Sequence, residues 1–160
     1  MSTAALATYL NDHLAGSVGA IELLEQGLES SEGTPLESFF TEVLGAVRED
    51  QELLRDLIRG IDASESPLKK AGAWLAEKVS RVKLGGGWAE RSPLSRLEML
   101  ETLGMGIQGK LALWRALRTV ADSHPALRAL DFSDLERRAM KQHDQVEAQR
   151  LAAAREALVA

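Results

Sequence analysis

What most constrains this chain is a layout. Two pairs of long amphipathic segments are each joined by a short break, and about 30 residues separate the pairs. A short break between two long helices makes an antiparallel hairpin. The 160 residues are enough for one hydrophobic core. The expected fold is therefore all-α: a single domain over residues 1–160, a four-helix bundle whose long crossover carries a short extra helix.

Period and punctuation place the helices. The first is expected from Ser2 or Thr3 to Gly27, with a seam of Leu6, Leu10, Leu14, Ser17, Ile21, Leu24 and Leu28 at helical spacing. Glu29 to Pro35 breaks it, and Thr34 before Pro35 reads as a cap with proline at the first helical position. The second runs to about Ile61 through Leu36, Phe40, Val43, Val47, Asp50, Leu54, Leu57 and Ile61. One member of that apolar series is an aspartate. Ser66-Pro67 opens a shorter helix (Leu68, Ala71, Leu75, Val79, Val82, with Trp74 beside them), which Gly85 to Gly87 ends before a loop holding Trp88. Ser92-Pro93 caps a third long helix to about Asp122, with Leu97, Leu100, Gly104, Ile107, Leu111 and Trp114 on one face. Ser133, with Glu136 three residues on, reads as a capping box for a fourth helix to about Leu158. Its seam is Phe132, Leu135, Ala139, His143, Val146, Arg150, Ala153 and Ala157.

Glycine inside a helix costs about 1 kcal/mol relative to alanine. Gly104, Gly106 and Gly109 in the third helix, and Gly16 and Gly19 in the first, therefore suggest close approach of a neighbouring helix. A small-ligand cavity at the third-helix glycines is the other use for such positions.

Hairpin geometry sets the facing residues. The first hairpin pairs Leu24 with Phe40, Ser17 with Val47 and Leu10 with Leu54, and so sets His13 against Asp50. The second, centred near residue 127, sets His143 against Leu111 to Leu113 and Glu147 near Gln108. At about 1.5 Å per residue the long helices span about 35–40 Å, a length the connection can cover. If it does, the third helix runs parallel to the second, and His13, Asp50, Gln108 and His143 gather at one level. A third helix starting at the opposite end would leave His143 roughly 18 Å away along the axis, so the convergence supports the parallel arrangement.

Composition removes several classes of function. A formal charge of −5 argues against a general nucleic-acid surface. No stretch approaches the roughly 20 apolar residues that span a bilayer. The N-terminal sequence has no basic, signal-like start, so a cytoplasmic location is the expectation. Cysteine is absent, which excludes disulfides, thiolate metal sites and cysteine nucleophiles.

Hairpin, long crossover, hairpin resembles the ferritin-like helical bundles over nearly the whole chain. The stretches YLNDHLAGSVGAIELLE (Tyr9 to Glu25), KKAGAWLAEK (Lys69 to Lys78) and GIQGKLALWRAL (Gly106 to Leu117) are similar to an uncharacterised bacterial branch of that group. The di-metal members use a Glu from two helices and Glu-x-x-His from the other two. Here Asp50-x-x-Leu53 lacks the histidine, Met140-x-x-His143 lacks the carboxylate, and His13 stands where a Glu is expected. The complete di-iron motif is absent. A mononuclear site for one Fe, Mn or Zn ion is what the residues still allow, with His13, Asp50 and His143 as ligands and Glu147 as a fourth.

Two main readings follow. In the first, His13 and Asp50 are a buried hydrogen-bonded pair in a non-enzymatic structural or interaction protein, compatible with a homodimer and with an unidentified protein partner. In the second, the same layer holds a metal in a binding protein or oxidoreductase. Arg150 is expected in an ion pair with Glu101, and Arg48 to Asp56 as a solvated face.

Overall fold

The computed structural model describes residues 3–61 and 92–159. Among these, four long α-helices carry the fold: α1 (Thr3–Ser30), α2 (Leu36–Gly60), α3 (Pro93–Val120) and α4 (Phe132–Leu158). Two short 3-10 turns, Ala121–Ser123 and Pro125–Leu127, join α3 to α4. The expected short helix and the Trp88 loop lie outside the described residues. No helix among the described residues is long and apolar enough to cross a membrane.

The chain's polar punctuation explains the helix ends. Gly33 turns the chain after α1 with φ +74°, a conformation costly for other residues. Glu37 reaches back to accept from the Gly33 N–H at 2.8 Å. Thr34 Oγ1 accepts from the Leu36 N–H at 3.3 Å, while Pro35 is the cap residue itself. Ser92 caps α3 as expected, accepting from the Ser95 N–H at 3.1 Å, with Pro93 in the first turn. The cap of α4 is Asp131 rather than Ser133: its carboxylate accepts from the Asp134 N–H at 3.0 Å. Ser133 lies inside the helix, and Glu136 is buried against Arg118 (3.0 Å) and Arg115 instead of closing a capping box.

Two apolar clusters fix the direction of every helix. One joins Leu6, Leu10 and Leu14 of α1 to Leu54, Leu57 and Ile58 of α2, Leu111 to Leu117 of α3, and Phe132 to Ala139 of α4. The other joins Leu24 to Phe40, Val43, Leu97, Leu100, Val146 and Ala153. The start of α2 thus lies with the start of α3, and their later halves lie together. The two run parallel, and the chain leaves α2 at one end of the bundle and enters α3 at the other. Each fully buried leucine or phenylalanine contributes about 1.5–3 kcal/mol of transfer free energy, so these clusters dominate the stability.

Register is where the first hairpin departs from expectation. The helix continues three residues past Gly27, to Ser30. The facing residues move by about one turn, so Ser17 meets Gln51 (2.8 Å) and not Val47. The second hairpin lies within a turn of its expected register. Lys110 meets Gln142, Arg96 meets Glu156, and Arg150 pairs with Glu101 at 3.2 Å as anticipated.

Candidate functional site

Midway along the bundle, between α1, α2 and α3, lies a cavity of about 240 Å³. Its walls follow helical spacing. Residues three or four apart share a helix face; α1 supplies His13, Gly16, Ser17 and Ala20, and α3 supplies Thr102, Gly106, Gly109 and Leu113. Val47, Asp50, Gln51 and Leu54 close the α2 side, with Trp114 and Ile107 as further apolar wall. Asp12, Met105 and Gly106 are exposed at its rim.

The glycines make this space. A Cβ built on Gly16, Gly106 or Gly109 meets no atom within 4 Å outside its own helix backbone, and one on Gly104 meets Val146 at 3.9 Å, an ordinary contact. The expectation of close helix approach at Gly16, Gly106 and Gly109 is therefore overturned: they leave room. The close approach occurs at Gly27, where a Cβ would overlap the Phe40 ring.

Polar groups line one side of it. Asp50 is buried, 5 % exposed, and its carboxylate gathers three donors. Lys110 Nζ donates to Oδ2 at 2.7 Å, Gln142 Nε2 to Oδ2 at 3.1 Å, and Arg138 to Oδ1 at 2.9 Å. Lys110 also donates to Gln142 Oε1. A carboxylate held by charge-assisted bonds is the arrangement a buried anion requires. Burial lowers the Lys110 ammonium below its ordinary range, with the Asp50 charge and hydrogen bond working the other way and Arg138 adding to the lowering.

The expected His13–Asp50 hydrogen-bonded pair is not formed. The one-turn register shift removes it, and Asp50 bonds across the bundle to α3 and α4. His13 lines the same cavity, its ring edge-on to Tyr9 at 4.8 Å between centroids. Burial holds it below the ordinary histidine range, outweighing the opposite effect of Asp12.

The remaining candidate ligands lie elsewhere. His143 is half-buried with Asp144 3.9 Å away, and Glu147 is paired with Arg150 at 2.6 and 2.7 Å. That hydrogen bond draws the Glu147 carboxyl down and the Arg150 guanidinium up. Neither His143, Glu147 nor Gln108 is among the cavity walls. Gln108 is exposed rather than part of a central layer. Among the described residues, no three His, Asp or Glu side chains are grouped to hold a metal ion.

Sequence reasoning missed Lys110, Arg138, Gln142 and Gln51. A signal for Gln142 was present: Leu135, Ala139, Gln142, Val146, Gln149 and Ala153 alternate steps of four and three as regularly as the series through His143. Likewise Gln51 stands one turn after Val47 and three before Leu54. Within Arg48 to Asp56, the charged residues besides Asp50 face outward or are half-buried, as anticipated, but Asp50 and Gln51 are buried.

No family model, no curated protein and no solved structure matches this chain.

Proposed function

We propose that this chain is a non-enzymatic helical-bundle binding protein that holds a small, largely apolar molecule in its mid-bundle cavity. The observation that carries the reading is the open space at Gly16, Gly106 and Gly109. Two glycines within a helix such as α3 cost roughly 2 kcal/mol together relative to alanine, and here no neighbouring helix fills the room they leave. A cavity that is part apolar wall and part convergent polar groups is the usual form of a small-molecule site. An engineered apolar cavity of about 150 Å³ accepts benzene, so this one suits on the order of ten non-hydrogen atoms. The parallel run of α2 and α3 supports a ferritin-like relation as part of the same proposal.

Benzyl alcohol is a suitable neutral probe. A ligand that binds only the folded state raises the melting temperature by mass action. A saturable rise is expected for the native sequence and its loss in Gly16→Leu/Gly109→Leu, which fills the space while keeping the helices. No rise with the native sequence, or the same rise in the filled variant, would refute the proposal.

A second reading has one observation in its favour: His13 and Asp50 both line the cavity. An Fe, Mn or Zn ion there would require Asp50 to exchange Lys110 and Arg138 for the metal, and His143 and Glu147 to turn inward. It predicts stoichiometric metal after refolding with each ion and its loss in His13→Ala.

A further inference from the structure

Resting on the reading of the cavity as a ligand site, the charges and unused hydrogen-bonding groups around it narrow the chemistry of the occupant. Asp50 is one buried anion answered by two cations, Lys110 and Arg138. Glu49, the other partner of Arg138, is 76 % exposed and lies in solvent, where its charge is screened. Asp12 at the rim is likewise exposed. Lys110 is a cavity wall, whereas Arg138 is half-exposed and is not, so on the cavity side the charges of Asp50 and Lys110 balance.

The cavity walls also carry unused donors. An ammonium has three N–H groups. Lys110 commits two, to Asp50 and to Gln142. Gln51 is only 7 % exposed and lines the cavity. One of its amide N–H groups goes to Ser17, and among the described residues the other has no acceptor. With the Trp114 indole N–H, which is buried and has no partner among the described residues, the walls hold three spare donors, which suits an occupant whose polar end offers acceptor oxygens, such as a carboxylate. The apolar wall of Trp114, Leu113 and Ile107 suits a ring or short hydrocarbon body.

We infer that the cavity takes a small monocarboxylate with an apolar or aromatic body, its carboxylate received by Lys110 and Gln51. A cation would meet the Lys110 ammonium, and Asp50 is already bonded on both oxygens.

Benzoate, benzamide and benzylammonium test the inference by calorimetric titration, since they share a ring and differ in charge. Hydrogen bonds to charged groups are the stronger kind, so benzoate should bind about tenfold or more tightly than benzamide. That preference should vanish in Lys110→Met, which leaves Asp50 with Arg138 and Gln142 and so keeps the fold. Benzamide binding as tightly as benzoate, or benzylammonium binding best, overturns the carboxylate inference while leaving the cavity proposal standing. A preference for benzoate that survives Lys110→Met overturns the role given to Lys110. If none of the three binds, the cavity proposal falls as well.

Discussion

At the two ends of the bundle, leucines and phenylalanines close the core. Halfway along, between α1 and α3, glycines stand where such side chains would otherwise meet. Phe40 and Leu10 are 0 % exposed, and the ring of Phe40 presses on Gly27. A Cβ added at Gly16, Gly106 or Gly109 would meet nothing within 4 Å outside its own helix backbone. The ends convert apolar area into stability. The middle forgoes that gain and sets a buried ionic cluster along one side of the space. Close packing is the norm for protein interiors, so an unfilled level edged by charges is a place where stability gives way to another requirement.

The sharpest way to break this contrast is to damage each region in turn. Phe40→Ala should cost about 3–5 kcal/mol in chemical denaturation, because it removes a fully buried ring between α1 and α2. A cost below about 1 kcal/mol would show that the ends are not close-packed. Asp50→Ala should cost about 3 kcal/mol, near the low end for breaking a buried charge cluster, since Arg138 can turn towards Glu49 and water. An unchanged denaturation midpoint would show that the cluster is already solvated.

One pair of identical substitutions should give opposite signs. Gly27→Ala drives a methyl into the Phe40 ring and should destabilise by about 1–2 kcal/mol, as overpacking does. Gly106→Ala places a methyl in open space and should stabilise by up to about 1 kcal/mol through helix propensity alone. Equal effects at the two positions would erase the distinction between filled ends and hollow middle.

The smallest effect concerns pH. His13 titrates lower in the folded protein than in the unfolded chain. Between those two values the unfolded chain binds more protons, so stability rises with pH. The contribution is fully present above about pH 6.5 and fades as pH falls towards the folded-state value. His13→Gln should flatten that part of the stability profile. Glu147 acts in a separate, more acidic window: its folded value is depressed, so its contribution is present at higher pH and is lost as pH falls through that value.

The frame of the molecule was legible because long helices announce themselves by period. Leu10, Leu24, Phe40, Leu100 and Trp114 were all placed in seams and are all buried. The connection was only long enough to allow a parallel third helix, and the choice rested on the level at which His13, Asp50, Gln108 and His143 would gather; α2 and α3 do run parallel, although that layer is not formed. The middle was less legible, for two physical reasons. A helix that continues to Ser30 instead of Gly27 turns the facing residues by about a full turn, so Gln51 and not Val47 meets Ser17. Moreover, where two neighbouring polar residues both fit the repeat, periodicity does not choose between them. His143 and Gln142 are adjacent, and the one that goes inside is the one Asp50 and Lys110 can bond. The glycines were read correctly as unusual, but absence of a side chain serves contact and emptiness equally well until the neighbouring helix is placed.

The most direct measurement of the central claim is an amide and indole NMR titration of the native chain with benzyl alcohol. The account predicts saturable shifts at Gly16, Gly106, Gly109 and the Trp114 indole N–H, with Leu10, Leu24 and Phe40 unmoved. Shifts that never saturate, or that centre on the end clusters, would contradict it.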